Sequence, residues 1–280
     1  MRIRDQFEIF VAMVRKQLII MSRYPVDFVA SFGQIFFIIL LFTFAAIMFE
    51  PRGAGNSTGG SNIPSNSGAV MMYGFVIFMF VSDTLWSIGY NIREEQYQGT
   101  LESLYLTPAS KFASLVSRVV TIVVWTGLLT LTAVLFVQLF LGHLPFQNPG
   151  LAALILLFSL SGTFGLGFAF AAYTLVVKES AQTAANFLQI ALMILCGMFF
   201  PFHALPEFLR WGSRLIPLSY SVDLFRSTLM GYPPGFPELA PVGVEFVVVV
   251  MFGILGPLLG YWAYRLAERR SRTVGSLAEF

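Results

Sequence analysis

Five long apolar stretches constrain the fold of this chain more than any other feature of its sequence. The hydrocarbon core of a bilayer is about 30 Å thick and takes about 20 helical residues to cross. Five stretches reach that length, and each predicts a membrane-spanning helix: residues 26–49, 69–90, 119–141, 151–177 and 242–266. Of the 280 residues, 56% are hydrophobic and only 11% are charged. Because a soluble domain carries about 25% charged residues, a soluble enzyme is excluded.

A sixth stretch, residues 181–200, is shorter and more polar in its first half. Gln182, Asn186 and Gln189 share one helical face there, whereas the second half is wholly apolar. We predict a sixth span that turns this face towards other helices, where the three side chains either hold helices together or line a transport path. The expected fold is an all-α integral membrane protein with six transmembrane helices in a single domain, residues 1–280.

The distribution of Lys and Arg predicts how the chain is oriented in the membrane. If both termini are cytoplasmic, 13 of the 17 Lys and Arg residues lie on the cytoplasmic side. Short cytoplasmic loops accumulate these residues, so we predict a multi-pass protein of the cell (plasma) membrane with both termini in the cytoplasm. The net charge of +2 is too small to indicate a nucleic-acid partner.

Residues 1–25 have the pattern of an amphipathic helix. Apolar residues recur there every three or four positions, and Arg15, Lys16 and Arg23 interrupt the apolar core that a signal peptide needs. We expect this segment to be retained and to lie along the cytoplasmic membrane interface. A cytoplasmic helix packed on a partner explains the same pattern equally well.

The segment 201–241, before the last span, is too interrupted to cross a membrane. Pro206 suits the first turn of a short helix, and Pro217 breaks that helix. A second helix can then be capped by Ser219 or Ser221. We predict that these two helices form a re-entrant or interfacial hairpin on the outer side.

Both hairpin helices are predicted to be apolar on one face. The first has an apolar side formed by Leu205, Phe208, Leu209 and Leu215. The second has Asp223 in its first turn and ends at Gly231. We expect three arginines to stay near the lipid headgroups: Arg210, Arg214 and Arg226.

The sequence lacks the residues that nucleotide hydrolysis requires. A P-loop needs a Lys followed by Ser or Thr, but Lys16, Lys111 and Lys178 precede Gln, Phe and Glu. His143 and His203, the only two histidines, are both predicted near the outer surface, where we interpret them as packing residues and not as metal ligands. We therefore expect no catalytic residue, cofactor or metal in this chain.

The cytoplasmic loop 93–111, between the second and third spans, is the densest polar feature of the chain. Thr100 can cap a short helix, and Glu102 favours its positively polarised first turn. The apolar face of this helix is formed by Leu101, Leu104 and Tyr105. Thr107-Pro108 ends it. The helix is either a peg for a cytoplasmic partner or an ordinary capped loop helix.

Polar side chains inside the predicted spans are candidates for a translocation path. Asp83, next to Ser82, is the only carboxylate at depth, and a charge there costs several kcal/mol unless it is paired, protonated or turned towards other helices. Structural pairing, a proton relay and a place in the substrate path with Ser82, Asn186 and Gln189 all remain open. Close helix packing is predicted at a seam of small residues: Thr163, Gly167 and Ala171.

Two motifs resemble those of a known family. In the loop 93–111, the order is Glu95, Gly99-Thr100-Leu101-Glu102, Leu104 and Thr107-Pro108. Before the last span, the order is Gly197-Met198-Phe199-Phe200-Pro201, Leu205-Pro206, Ile216-Pro217-Leu218-Ser219-Tyr220, Asp223 and Arg226. Together with the six-span plan, these motifs are similar to the type-2 permease family of ABC exporters, over essentially the whole chain.

This resemblance implies that the chain is the permease subunit of an ATP-driven exporter. In that family the permease is a dimer, and each copy docks a separate ATPase subunit, the chain that binds ATP and magnesium. The loop motif would make that contact, and the later motif would form the external hairpin with Pro206, Pro217, Tyr220, Asp223 and Arg226. The implied cargo is a small amphipathic molecule, a lipid or a polysaccharide, and membrane lipid is a further expected partner.

Two other functions are compatible with such a chain. An ion- or proton-coupled secondary transporter or channel would use Asp83, but more buried ionisable groups or inverted repeats would be expected. A polytopic membrane enzyme would need a convergent catalytic set, which two outer histidines and scattered acids do not supply. The exporter hypothesis is therefore favoured.

Overall fold

The structure, a computed structural model, describes residues 67–90, 111–140, 145–177 and 180–274, with isolated helical positions between residues 11 and 38. This part of the chain is helical and contains no strand. Its α-helices are α1 (Ser67–Thr84), α2 (Lys111–Phe140), α3 (Pro149–Val176), α4 (Ala181–Leu195), α5 (Glu207–Leu215), α6 (Pro217–Met230) and α7 (Val242–Val274). A π-helical turn, Leu85–Tyr90, continues α1, and a 3₁₀ turn, Phe202–Ala204, precedes α5.

Four of these helices are long and apolar enough to cross a bilayer. The apolar stretches are Ala69–Ile88, which runs from α1 into the π-helical turn, and Arg118–Leu139, Pro149–Leu175 and Val242–Arg270. These stretches agree with four of the predicted spans, as expected of an integral membrane protein. A shorter apolar helix includes described positions of Val29–Ile38, within the predicted first span.

Helix α4 is shorter than the span predicted over residues 181–200. Its 15 residues end at Leu195 and cover about 22 Å at 1.5 Å per residue, less than a bilayer core. The backbone leaves the helix at Cys196 and reaches the left-handed region at Gly197, where φ is 55°. Glycine adopts that conformation without steric cost, so the apolar run continues past the helix in a different conformation.

The most extensive contact between helices in the described structure joins α3 and α7. A Cβ atom on Gly165 of α3 would overlap the backbone of Gly256, and one on Gly260 would overlap the Gly165 carbonyl. The hydroxyl of Ser161 also donates to the Gly253 carbonyl oxygen across the contact, at 2.6 Å. Small residues let two membrane helices approach until their backbones touch, and α3 and α7 pack in this way.

A second side of α3 packs against α1 and the π-helical turn. A Cβ atom on Gly167 would meet the Thr84 methyl group, and Thr163 and Ala171 are buried. This is the predicted small-residue seam, which the structure confirms as a packing surface. The sequence pattern did not reveal the glycine contact with α7, because that contact depends on spacing in two distant segments.

Helix α6 is buried on all sides, so the prediction of a single apolar face is wrong. Of its 14 residues, 12 are buried, including polar ones. Because it begins at Pro217, Ser219 and Ser221 lie inside the helix instead of capping it, and Asp223 lies beyond the first turn. Two of its serine hydroxyl groups donate to backbone carbonyl oxygens: Ser227 to Asp223 at 2.6 Å and Ser219 to Leu195 at 3.4 Å. The buried hydroxyl of Ser221 has no hydrogen-bond partner in the described chain. The helix ends at Gly231, as predicted.

Helix α5 is the amphipathic element of the hairpin. Phe208, Trp211 and Leu215 are exposed to the extent of 73%, 67% and 85%. Leu205, predicted to share their face, precedes the helix and is buried in a small separate cluster with Phe202. The exposed apolar side of α5 is therefore narrower than the sequence pattern suggested, and it consists of side chains within the helix alone.

Candidate functional site

The centre of the hairpin is a fully buried arginine. Arg226 of α6 has no exposed surface, and its Nε and Nη2 atoms each lie 3.4 Å from Oδ1 of Asp223, one turn earlier. Its Nη1 donates to the carbonyl oxygens of Gly197, at 3.1 Å, and Phe200, at 3.2 Å. The prediction that Arg226 stays near headgroups is therefore wrong, because its donors bind a carboxylate and the turn after α4.

Glu238, in the loop before α7, is held against this arginine. Its Oε1 lies 3.6 Å from Nη2 of Arg226, and its Oε2 accepts hydrogen bonds from the backbone N, at 2.6 Å, and Nδ1, at 3.0 Å, of His203. The backbone N–H groups of Glu238 and Leu239 donate to Oδ2 of Asp223, at 2.7 and 2.9 Å. Three segments that are distant in sequence are thus connected through Asp223 and Arg226.

A third carboxyl group lies beside this cluster. Glu245, in the first turn of α7, is fully buried, and its Oε1 accepts a hydrogen bond from the backbone N of Ala240 at 3.0 Å. Burial raises the pKa of Asp223, while the Arg226 guanidinium and two backbone N–H groups act in the opposite direction. We name these four residues, Asp223, Arg226, Glu238 and Glu245, the hairpin network. Glu245 was not identified from the sequence as a candidate, although it stands within the predicted span 242–266.

A separate polar cluster lies between α1 with its π-helical turn, α2 and α4. Gln189 of α4 donates through Nε2 to the Ser82 hydroxyl at 3.0 Å, and its Oε1 accepts from the indole N–H of Trp86 at 2.9 Å. Asp83 points to α2, where its Oδ2 accepts from the Thr126 hydroxyl. The first two bonds connect α4 to the end of α1, and the third connects α1 to α2.

Comparison with known proteins shows the family of the chain. The model of a family described as ABC-2 family transporter protein matches residues 54–262. The chain belongs to this family. The resemblance to type-2 ABC permeases is therefore confirmed, and the matched region contains both the hairpin network and the cluster around Gln189.

Curated relatives of this ABC-2 permease include two proteins named "Probable multidrug ABC transporter permease YbhS", from Escherichia coli strain K12 and from Escherichia coli O157:H7. Each is 24% identical over 168 residues, which cover 58% of the permease and 43% of the relative. The permease thus aligns with less than half the length of the curated relatives that it matches.

The structure of the permease brings together only some of the predicted path residues. Ser82 and Gln189 are hydrogen-bonded to each other, whereas Asp83 faces α2. Asn186 is exposed on the surface of α4. The four residues do not form one site within the described chain, since they face three directions.

The predicted hairpin residues of the permease have distinct positions. Asp223 and Arg226 form the ion pair described above, and Pro206 and Pro217 stand at the starts of α5 and α6. Tyr220 ties the two helices together, because its hydroxyl donates to the Arg214 carbonyl oxygen at 2.9 Å. All five residues therefore shape the hairpin.

The predicted ATPase-docking residues lie outside the described residues. These are Glu95, Gly99, Thr100, Leu101, Glu102, Leu104, Thr107 and Pro108. His143 also lies outside them, whereas the side chain of His203 is 71% exposed and paired with Glu238. Within the described ranges, no three His, Cys, Asp or Glu side chains are grouped so that they could hold a metal ion.

Proposed function

We propose that this permease is the membrane-spanning subunit of an ATP-driven exporter, built from two copies of the chain and two copies of a separate ATPase. The observation that carries the proposal is the family match over residues 54–262. The sequence supports it, because no lysine in it is followed by the Ser or Thr of a P-loop. ATP and magnesium would therefore be bound by the partner ATPase.

The exposed side of α4 supports a path between two copies of the chain. Gln182 and Asn186 are exposed on this apolar helix, next to the large apolar side chains of Phe187 and Ile190. Lipid hydrocarbon offers no hydrogen-bond partner to an amide side chain, so such residues face protein or water inside a membrane. A second copy of the chain would cover this side and enclose a polar passage with it.

The proposed architecture has six spans, with both termini in the cytoplasm and the α5–α6 hairpin at the outer face. Helix α5 has nine residues and α6 has 14, and both are too short to cross a bilayer. The burial of α6 against α1, α3 and α7 supports a hairpin that enters the membrane-embedded part of the fold. The cargo is proposed to be a small amphipathic molecule, a lipid or a polysaccharide.

Coupling to the ATPase is proposed to run through the loop 93–111. An acidic residue in the first turn of an exposed helix contributes only about 0.3–1 kcal/mol to stability. A partner charge that is left buried and unpaired at an interface costs about 2–5 kcal/mol. Loss of the side chain at Glu102 should therefore weaken docking by more than about tenfold without unfolding the chain.

The test compares Glu102→Ala and the double variant Glu102→Ala, Leu104→Asp with the natural chain. We expect both to lose co-purification of the ATPase and substrate-stimulated ATP hydrolysis in reconstituted vesicles. Glu207→Ala is the matched control, because Glu207 is an exposed acid in the first turn of α5. If the double variant still co-purifies with the ATPase and keeps substrate-stimulated ATP hydrolysis at the natural level, the loop does not couple the two subunits.

A further inference from the structure

A cleft with a volume of about 470 Å³ opens between α5 and the loop that precedes α7. His203, Arg210 and Arg214 form its basic side, and Phe236 and Glu238 also line it. The volume falls within the range of about 300–1,000 Å³ that is typical of sites for small molecules. The cleft can therefore hold a group of the size of a phospholipid headgroup.

The cleft carries an excess of positive charge. Glu238 is the only carboxylate among the described residues that line it. Its Oε2 is hydrogen-bonded to His203, and its Oε1 forms an ion pair with Arg226 at 3.6 Å without a hydrogen bond. Arg210 uses Nη2 to donate to the carbonyl oxygens of His203 and Leu205, at 3.0 and 3.3 Å. Its Nε is buried with no hydrogen-bond partner in the described chain. No carboxylate in the described chain forms an ion pair with Arg210, so its positive charge remains available to a negatively charged ligand in the cleft.

The second arginine links the cleft to the apolar side of α5. The Arg214 guanidinium lies 5.3 Å from the centre of the Trp211 ring, and no carboxylate in the described chain pairs with it. Trp211 is exposed together with Phe208 and Leu215, at helical spacings of three and four residues. Tryptophan and arginine with such apolar neighbours are typical of a helix at the boundary between headgroups and acyl chains.

We propose that this cleft binds the phosphate of an anionic phospholipid whose acyl chains contact Phe208, Trp211 and Leu215. Arginine pairs well with phosphate oxygens, since its guanidinium presents several donors in one plane. A soluble anion would use the arginines alone, whereas a phospholipid also covers the three exposed apolar side chains. The site requires only that the chain lies in a membrane, and it depends neither on ATPase coupling nor on the orientation of the hairpin.

The experiment uses tryptophan fluorescence in vesicles of defined composition. The full chain carries four tryptophans, and replacement of Trp86, Trp125 and Trp262 by Phe leaves Trp211 as the reporter. Brominated acyl chains quench a tryptophan that they touch, so quenching by brominated phosphatidylglycerol is compared with quenching by brominated phosphatidylcholine. We expect a preference of about tenfold for phosphatidylglycerol at low salt, which weakens as salt screens the charges.

The double variant Arg210→Gln, Arg214→Gln tests the basic side of the cleft in the same background. We expect this variant to lose the preference, so that brominated phosphatidylglycerol and brominated phosphatidylcholine quench Trp211 about equally. The matched control is Arg265→Gln, Arg269→Gln, which removes two arginines at the same spacing from α7 and should leave Trp211 quenching unchanged. Equal quenching by both lipids in the parent chain, or an unchanged preference in the Arg210, Arg214 variant, would overturn the proposal.

Two further measurements keep the test decisive. Addition of glycerol 3-phosphate should not displace phosphatidylglycerol, and displacement would show a site for soluble phosphate esters instead of a lipid site. If the three Trp→Phe changes prevent folding, native mass spectrometry of the chain with all its tryptophans counts retained phosphatidylglycerol. The chain should keep at least one such lipid that the Arg210, Arg214 variant loses, and equal retention by both would refute the site.

Discussion

The Nη2 atom of Arg226 lies 3.6 Å from Oε1 of Glu238, although one residue is inside α6 and the other is in the loop before α7. Both side chains are withdrawn from solvent, and the guanidinium also lies 4.8 Å from the centre of the Phe202 ring. This contact joins α6, the turn after α4 and the approach to α7 around one positive charge. The hairpin is therefore held by a buried ion network as well as by apolar packing.

Removal of that charge should destabilise the permease strongly. We expect Arg226→Met to cost about 3–5 kcal/mol, because Asp223 and Glu238 would remain buried without their cation. The measurement is thermal unfolding in detergent, followed by size-exclusion chromatography. Arg214→Met is the control, since Arg214 is exposed and should cost little. The change Asp223→Asn should restore part of the loss in the Arg226→Met background, and a melting temperature unaffected by Arg226→Met would contradict the role of the network.

The close contact of α3 and α7 predicts a sharp difference between two glycines. Gly165→Leu should lower the melting temperature markedly, because its side chain would have to push the backbones apart, and overpacking typically costs about 1–3 kcal/mol or more. Gly127→Leu on α2 is matched in chemistry, but nothing lies within 4 Å of its Cβ position. Comparable melting temperatures for the two variants would show that the helices do not touch at this point.

The two hydrogen bonds of Gln189, to Ser82 and Trp86, predict a smaller loss of stability than removal of the Arg226 charge. Gln189→Leu removes the partners of the Ser82 hydroxyl and the Trp86 indole N–H, at a cost of about 1 kcal/mol. Near-ultraviolet circular dichroism should also change, since Trp86 loses its fixed orientation. Gln182→Leu serves as the control, because Gln182 is exposed on the same helix. Identical spectra and melting temperatures for the natural chain and the Gln189 variant would argue against the bridge.

The proposed orientation can be tested by cysteine labelling. Cys196 is buried and is the only cysteine, so Cys196→Ser provides a background for single cysteines at positions 103 and 203. An impermeant maleimide should label His203→Cys in intact cells and Ser103→Cys only after permeabilisation. Labelling of Ser103→Cys in intact cells would contradict the proposed topology.

Local sequence patterns predicted the features that depend on one segment at a time. The apolar stretches at 69–90, 119–141, 151–177 and 242–266 predicted four helices long enough to span, because hydrocarbon demands helices of that length and composition. The end of α6 at Gly231 followed from the conformational freedom of glycine, since φ there is 76°. The two motifs also led to the correct family.

The contacts between distant segments became evident only from the tertiary structure. Arg226 was predicted to stay near the headgroups because its helix is too short to cross a bilayer. Carbonyl groups from the turn after α4 and carboxylates from α6 and the following loop make its burial favourable instead. Gly165 likewise acquires its role from Gly256 and Gly260, which lie on a helix far away in the sequence. The contribution of a buried charge or of a glycine to stability depends on the groups that surround it. Sequence spacing alone does not specify those groups.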